Sequence, residues 1–355
     1  MVNLDFKFWK NKKVLITGNN GFKGTWLSIF LFHLGAKVYG FSQKPKKNYF
    51  SNFINFNSYI KNQEYGDINN FSKFHKFIKY IRPEIVIHMA AQPLVIEAFK
   101  DPIRTFYTNI NGTINVINSI SKLDSINLFL NITTDKVYKT GNNLKLHCED
   151  DYLQGSEFYS CSKVASDSIT YILSKFSKNF NTKKYLIARS GNVIGGGDYS
   201  ENRIVPDLLK AYNKNQTLII RNDSHVRPWQ HVLEPLGGYL QLIQNFYNKS
   251  SLSEKEIAWN FGPNKSSYKS VGQLVNSFKK KIVLKSEIQS ISNKKNIESK
   301  FVGLDSSKAK KKLNWYPKWS LDQTIDKIIE WNSYSNSQKK IQQITVKQIE
   351  QYIDI

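Results

Sequence analysis

Seven residues near the N-terminus, Gly18-Asn19-Asn20-Gly21-Phe22-Lys23-Gly24, constrain the fold more than any other stretch. They join an apolar segment, KKVLITG over 12–18, to a segment of helical spacing, GTWLSIFLFHLG over 24–35, which closes on Gly35 as a C-cap. A strand that turns on glycines into a helix brings backbone N–H groups and the positive end of the helix dipole to one point. That point accepts a pyrophosphate, so the GxxGxxG spacing predicts a dinucleotide site on a strand–turn–helix unit.

The same alternation continues. AKVYGF (36–41), EIVIHMAA (84–91), LFLNITT (128–134) and KYLIARSGNVIG (184–195) read as strands. FSKFHKFIKYIRP (71–83), TINVINSISKL (113–123) and YSCSKVASDSITYILSKF (159–176) read as helices. This order predicts an α/β fold, a Rossmann-type doubly wound parallel sheet. Past about residue 190 the pattern becomes irregular, punctuated by NVIGGGD, RPWQHVLEP and NFGP, which suits a smaller C-terminal substrate-binding lobe over the sheet's carboxyl edge. The expected division is a dinucleotide-binding unit at 1–189, to which 230–262 returns, and a lobe made of 190–229 and 263–333. Residues 334–355 are expected to form a C-terminal helical extension with Ile341, Ile344, Ile349 and Ile353 on one side.

The net charge of +23 invites a nucleic-acid reading. The basic residues are 45 lysines and six arginines, and the lysines are spread along the whole chain, so no nucleic-acid partner is expected. Four of the six arginines, Arg189, Arg203, Arg221 and Arg227, fall between 189 and 227, where a planar, bidentate anion clamp would use them. No apolar run approaches the ~18 residues of a membrane span, and the N-terminus has no secretory apolar region. Two cysteines, Cys148 and Cys161, make neither a disulfide framework nor a zinc pattern, so no metal is expected and the setting is read as cytoplasmic.

Three groups of side chains carry candidate chemistry. Asp135 and Lys136 stand side by side where the strand LFLNITT ends, and both can serve one site only if the chain leaves strand geometry there. Tyr159 and Lys163 form a YxxxK pair on one helix face, where an ammonium is expected to lower the phenol pKa so that Tyr159 takes a proton from a sugar hydroxyl. The end of the second strand lacks the acid that holds an adenosine ribose and carries Lys44, Lys46 and Lys47 instead, either a 2′-phosphate contact or a solvated loop; Asp67 is placed at the adenine. His88, on a buried strand, reads as a satisfied core histidine.

On the stretches FWKNKKVLITGNNGFKGTWLS, PEIVIHMAAQPLV, NITTDKVY, YSCSK, RSGNVIGGGD, RIVPDLL, IIRN, RPWQHVLEPLGGYL and WNFGP, the chain resembles the extended short-chain dehydrogenase/reductase family. Within it, GFKGTW, AAQPLV and RPWQHVLEP are similar to the sugar-nucleotide 4,6-dehydratases of the subgroup that acts on CDP-glucose, although that subgroup commonly has His-Thr where Asn19-Asn20 stand. The resemblance implies NAD as cofactor, with contacts from Gly18, Gly21, Phe22, Lys23, Gly24, Asp67, Ala90, Ala91, Gln92, Asn109, Tyr159 and Lys163. It implies a CDP-hexose substrate held by Asn192, Arg203, Arg221, Arg227 and His231, with Trp229 nearby. Its catalytic set is Thr134, Asp135, Lys136, Tyr159 and Lys163: Tyr159 with Thr134 deprotonates the 4-hydroxyl, Lys136 takes the C5 proton or stabilises the enolate, and Asp135 protonates the leaving 6-hydroxyl. Hydride passes from C4 to NAD and back to C6, so the implied class is a lyase of deoxysugar and surface-polysaccharide synthesis. A homodimer or dimer of dimers through helices 113–123 and 159–176 is also implied. The competing readings are a UDP-N-acetylhexosamine or TDP-glucose dehydratase and a noncatalytic NAD-binding protein.

Overall fold

In strand β1 (Lys13–Thr17), Val14 and Ile16 enter one apolar cluster and Leu15 another, and all three are fully buried. A strand apolar on both faces needs cover on both. A computed structural model, which describes residues 3–139, 145–176, 183–283, 287–291, 299–335 and 337–354, shows that cover. The strands that follow are β2 (Lys37–Ser42), β3 (Asn62–Tyr65), β4 (Ile85–His88), β5 (Leu128–Ile132) and β6 (Lys184–Ser190). Then come β7 (Val193–Ile194), β8 (Leu218–Arg221), β9 (Val226–Pro228), β10 (Gln230–His231), β11 (Ala258–Phe261), β12 (Tyr268–Ser270) and β13 (Ile288–Ile291).

Seven of these make one sheet in the order β11-β6-β5-β4-β1-β2-β3, and every pairing is parallel. The Phe22–His33 and Leu233–Phe246 helices supply Trp26, Phe30, Leu236 and Leu240 to the cluster on one face. The Phe71–Ile81 and Gly112–Ser121 helices supply Phe74, Ile78, Val116 and Ile120 to the other. The strand order reverses between β4 and β2 about β1, and the crevice at such a switch point is where α/β sheets bind ligands. Gly18 stands there, one residue past β1.

A separate apolar cluster joins the Ile204–Lys214, Val271–Lys279 and Leu321–Ser333 helices through Leu208, Ile220, Leu274 and Ile325. Three two-stranded sheets accompany it, β7–β10, β9–β12 and β8–β13. No helix among the described residues is long and apolar enough to cross a membrane, and no group of three or more His, Cys, Asp or Glu could hold a metal ion.

The structure departs from the expectations at four places. The strand expected over 184–195 divides after Ser190, and β7 pairs with β10 rather than joining the main sheet. The bend sits at Gly191, where a Cβ would come 2.5 Å from Pro228 and 2.9 Å from Asp135 Oδ2. The edge strand β3 has the sequence NQEY, half-exposed throughout, so no apolar alternation announces it. The helical segment around 113–123 begins much earlier, at Pro102, and passes through a π-turn at Tyr107–Asn111 before Gly112–Ser121. The final helix, Gln338–Ile353, is built into the main core: Ile341, Ile344, Ile349 and Tyr352 are buried there, and Ile353 packs against it.

Candidate active site

Glycine is required at the turn after β1 because backbone approaches backbone there. Gly18 has φ +73°, and a Cβ on it would lie 2.9 Å from Ala90 Cα; a Cβ on Gly24 would lie 2.2 Å from the Gly18 carbonyl oxygen. Gly21 is the N-cap of the Phe22–His33 helix, so the first-turn N–H groups open toward the loop. Thr17 Oγ1 accepts from the backbone N–H groups of Met89 and Ala90 at 3.1 and 3.2 Å, which holds the end of β4 beside the loop. His88 bridges Thr17 Oγ1 at 2.7 Å and Thr113 Oγ1 at 3.2 Å, and burial brings its pKa down to about 3. It is a neutral core histidine, as read from the sequence.

Asn19 and Asn20 are buried rather than open to a ligand: Asn19 Nδ2 donates to Gln63 Oε1 and Asn20 Nδ2 to the Gln43 carbonyl, both at 2.6 Å. Asp67 lies one strand further along, exposed, accepting from Gln43 Nε2 at 2.9 Å. Lys44, Lys46 and Lys47 are exposed beyond β2. Asn109 projects inward from the π-turn; its Oδ1 accepts from Gln92 N at 2.8 Å, and its Nδ2 donates to the Gln92 carbonyl and to Ser162 Oγ. It therefore fixes the Ala90-Ala91-Gln92 loop to the Phe158–Phe176 helix. A π-turn at such a position re-aims one side chain into a site.

After Ile132 the chain abandons strand geometry. Thr133 and Thr134 lead into a single 3₁₀ turn, Asp135–Val137, capped by Thr134. The turn releases Asp135 and Lys136 from the alternation that would send neighbours to opposite faces. Thr134 Oγ1 donates to Asp135 Oδ1 at 3.0 Å and also hydrogen-bonds the Tyr159 phenol. Glu157 accepts from the backbone N–H groups of Tyr159 and Ser160 at 2.7 and 2.8 Å, so the first turn of the helix carries Tyr159 to the strand end. One turn on, Lys163 Nζ donates to the Ile132 carbonyl at 2.9 Å.

The electrostatics differ from the expectation for Tyr159. Burial pushes its phenol well above the ordinary range; the Thr134 hydrogen bond opposes this, Asp135 adds to it, and Arg203 opposes it. Lys163 is directed at the Ile132 carbonyl. Burial lowers Lys163 itself to about 8, with Asp167 opposing. Lys23 comes from the glycine loop into the same neighbourhood, donating to Ser190 Oγ and Tyr239 OH at 3.1 Å each. Tyr239 and Ser190 were not expected; no local spacing ties them to Lys23.

The arginines separate. Arg203 caps the Ile204–Lys214 helix, pairs with Asp198 at 3.0 Å and acts electrostatically on Lys23 and Tyr159. Arg221 donates to Asn202 Oδ1 at 2.6 Å, next to Arg203 in the chain. Asn192 is half-buried and its carbonyl accepts from Gln230 N. Arg227 is buried, its Nη1 donates to the Val226 and Lys300 carbonyls, and its Nη2 lies 3.3 Å from His225 Nδ1. Arg189 is not a clamp: it makes a buried bidentate pair with Asp167 at 2.9 and 2.7 Å and donates to Tyr138 OH. His231 leaves the substrate set. It is fully buried, edge-on to Trp26 and Trp319, and its Nδ1 accepts from Leu233 N, because β10 threads it through the core rather than along the cleft. Trp229 is likewise buried and bonded to the Lys269 carbonyl.

A glycine-turned β1 at the switch point, facing a Tyr–Lys helix and a strand-end acid–base pair, defines the class of extended short-chain dehydrogenases/reductases that act as nucleotide-sugar epimerases and dehydratases. The chain belongs to the GDP-mannose 4,6 dehydratase family, whose model matches residues 15–328. It is 36% identical over 341 residues to the CDP-glucose 4,6-dehydratase of Salmonella typhimurium, covering 93% of this chain and 92% of that protein. It is 24% identical to the CDP-paratose 2-epimerase of Salmonella typhi, covering 90% and 99%. Among solved structures, dTDP-glucose 4,6-dehydratase from Bacillus anthracis in complex with NAD superposes with a TM-score of 0.75 at 20% identity, over 91% of this chain and 96% of that one. UDP-glucose 4-epimerase from Thermotoga maritima with UDP-glucose gives 0.78 at 22% identity, over 91% and 99%. Dehydratases and epimerases thus share the fold.

Proposed function

We propose that the protein is a CDP-glucose 4,6-dehydratase, a lyase that forms CDP-4-keto-6-deoxyglucose. The observation that carries this reading is the 3₁₀ turn at Asp135–Val137, in which Asp135 meets Thr134 and acts on the Tyr159 phenol while the Lys136 backbone N–H bonds Thr134 Oγ1. An enzyme that only oxidises and reduces C4 needs Tyr159 and Lys163; eliminating water across C5 and C6 needs a further base and acid. The full-length similarity to the Salmonella typhimurium enzyme supports the CDP-glucose assignment.

The loop fits a dinucleotide, since the space a Cβ would fill at Gly18 and Gly24 is already taken by backbone and the helix N-terminus faces the crevice. Gly18, Gly21, Phe22, Lys23 and Gly24 would hold the pyrophosphate side, Asp67 the adenosine, and Ala90, Ala91 and Gln92, braced by Asn109, the opposite wall. NAD, when bound, accepts the C4 hydride, returns it to C6, and brings a positive charge that favours the Tyr159 phenolate.

Tyr159 exchanges the proton of the 4-hydroxyl, with Thr134 as its hydrogen-bond partner. The 4-ketone acidifies C5, and Lys136 takes that proton and gives it back to C5 as the hydride reaches C6. Asp135, held by Thr134, gives its proton to the departing 6-hydroxyl. Arg203 and Arg221, at the entrance to the lobe, hold the diphosphate, and Asn192 lines the path between them and the strand end. In this reading the sheet unit carries the cofactor and the 190–229 and 263–333 lobe carries the nucleotide.

Exposed apolar side chains support a dimer through two helical segments: Ile103 at 64%, Tyr107 at 57% and Ile172 at 51% exposure. Light scattering at micromolar concentration is expected to give twice 41.2 kDa or more. Free Cys148 and Cys161 suit a reducing cytoplasm. The deciding experiment incubates the protein and NAD with CDP-, TDP-, UDP- and GDP-sugars. A 4-keto-6-deoxy product from CDP-glucose alone is expected; product from another nucleotide moves the assignment to that sugar nucleotide, and none from any removes it.

A further inference from the structure

Lys23 is the second residue of the Phe22–His33 helix, where aligned peptide dipoles disfavour a cation. Its side chain nevertheless turns into the site. Nζ donates to Ser190 Oγ and Tyr239 OH, the Tyr239 hydroxyl donates to Ser190 Oγ at 2.7 Å, and Nζ stands 5.3 Å from the Tyr239 ring centre. Ser190 ends β6, directly before the Gly191 that abuts Asp135. The charged groups facing Lys23 are Lys163 and Arg203, which oppose its ammonium, and Asp135, which favours it. A lysine in such a place is held by neutral hydroxyls, which accept from either an amine or an ammonium.

The proposed reaction changes the charge of this site. The nicotinamide ring is cationic in NAD+ and neutral in NADH, so a third positive charge beside Lys163 and Arg203 is present in one form and absent in the other. We infer that Lys23 is the charge-balancing residue of the site, binding as the neutral amine beside the oxidised dinucleotide and as the ammonium beside the reduced one. The inference rests on the NAD reading above. Burial first, then Lys163 and Arg203, bring the Lys23 pKa to about 7 against Asp135, so both forms are within reach near neutrality. The proton enters from solvent when the dinucleotide is reduced and leaves when hydride returns to C6, so a full turnover takes up none. Lys23 acts through charge and is a positioning residue, not a group that touches the sugar.

Binding tests this without turnover. Protein freed of dinucleotide is titrated calorimetrically with NAD+ and with NADH from about pH 6 to pH 8, in buffers of different ionisation enthalpy. NAD+ affinity is expected to rise about tenfold over that range with release of protons, because only the amine form accepts it, while NADH affinity falls about tenfold and its binding takes up protons. In Lys23→Gln, which keeps a hydrogen bond to the two hydroxyls but cannot titrate, and in Lys23→Met, both affinities become flat within about twofold. Equal pH slopes for the two forms in the parent protein, or a slope that survives in Lys23→Gln, overturn the inference. Equal loss of NAD+, NADH and ADP-ribose affinity at constant pH slope also overturns it, since Lys23 would then only hold the pyrophosphate. Failure of the parent protein to bind either form overturns the cofactor reading and this inference with it.

Discussion

Adjacent threonines, Thr133 and Thr134, lead into two buried clusters of charge that are built in opposite ways. Thr133 donates to Asp167 at 2.9 Å, and Asp167 is matched by Arg189 through both carboxylate oxygens. Arg189 goes on to Tyr138, and Tyr138 to Asn260 Oδ1 at 2.7 Å. Each charge has its opposite and each donor its acceptor; burial alone would lower the Arg189 pKa, but Asp167 and Tyr138 raise it far above the ordinary range. Thr134 leads instead to Asp135, Tyr159, Lys163 and Lys23, where burial holds Lys163 at about 8, burial and like charge hold Lys23 at about 7, and burial with Asp135 pushes the phenol upward. The first cluster is a strut, stable because it is matched. The second is mismatched, and groups with pKa values displaced toward neutrality are the ones able to move protons.

Substitutions should separate the two. The largest expected loss of stability is from Arg189→Met, which leaves Asp167 charged and unpaired in the core; unfolding in urea should show about 3–5 kcal/mol lost. Lys136→Met should instead leave urea stability within about 1 kcal/mol of the parent and lower turnover by about 10²–10⁴-fold. With CDP-glucose in deuterated solvent this variant should still oxidise C4 but fail to exchange the C5 proton. Normal C5 exchange in Lys136→Met would mean that another group is the base. Asp135→Asn should retain C5 exchange while loss of the 6-hydroxyl slows, and an identical block in both variants would break the division of roles.

A pH series sharpens the comparison further. Lys23 and Lys163 titrate at about 7 and about 8 in the folded protein, below the ordinary lysine value of 10.5. Between these values the unfolded chain binds more protons, so their contribution makes the fold more stable as pH rises from 7 toward 10.5. Lys23→Met should reduce that slope, whereas Arg189, charged throughout, contributes none. The smallest effect expected is from Thr133→Val, which removes one neutral donor to Asp167, about 1 kcal/mol by thermal unfolding with turnover little changed.

Features that span one turn or one strand are legible in the amino-acid order. The glycine spacing around Gly18, the Tyr159–Lys163 pair and the strands with apolar residues on both faces are local patterns, and local sterics and periodicity dictate them. The polar edge strand at Asn62–Tyr65 is not legible there, because an edge half-exposed to water needs no apolar signature.

The sequence by itself determined the doubly wound sheet, the glycine loop after β1 and the place of Asp135 and Lys136 just past the end of β5. Tertiary structure alone decided which charges would meet. Lys23 finds Ser190 and Tyr239 at separations of 167 and 216 residues, Arg189 is drawn from a supposed anion clamp to Asp167, and His231 is closed between Trp26 and Trp319. The reason is physical. A side chain's conformation depends on its neighbours in the chain, but its desolvation and the sign of the charges around it depend on neighbours in space.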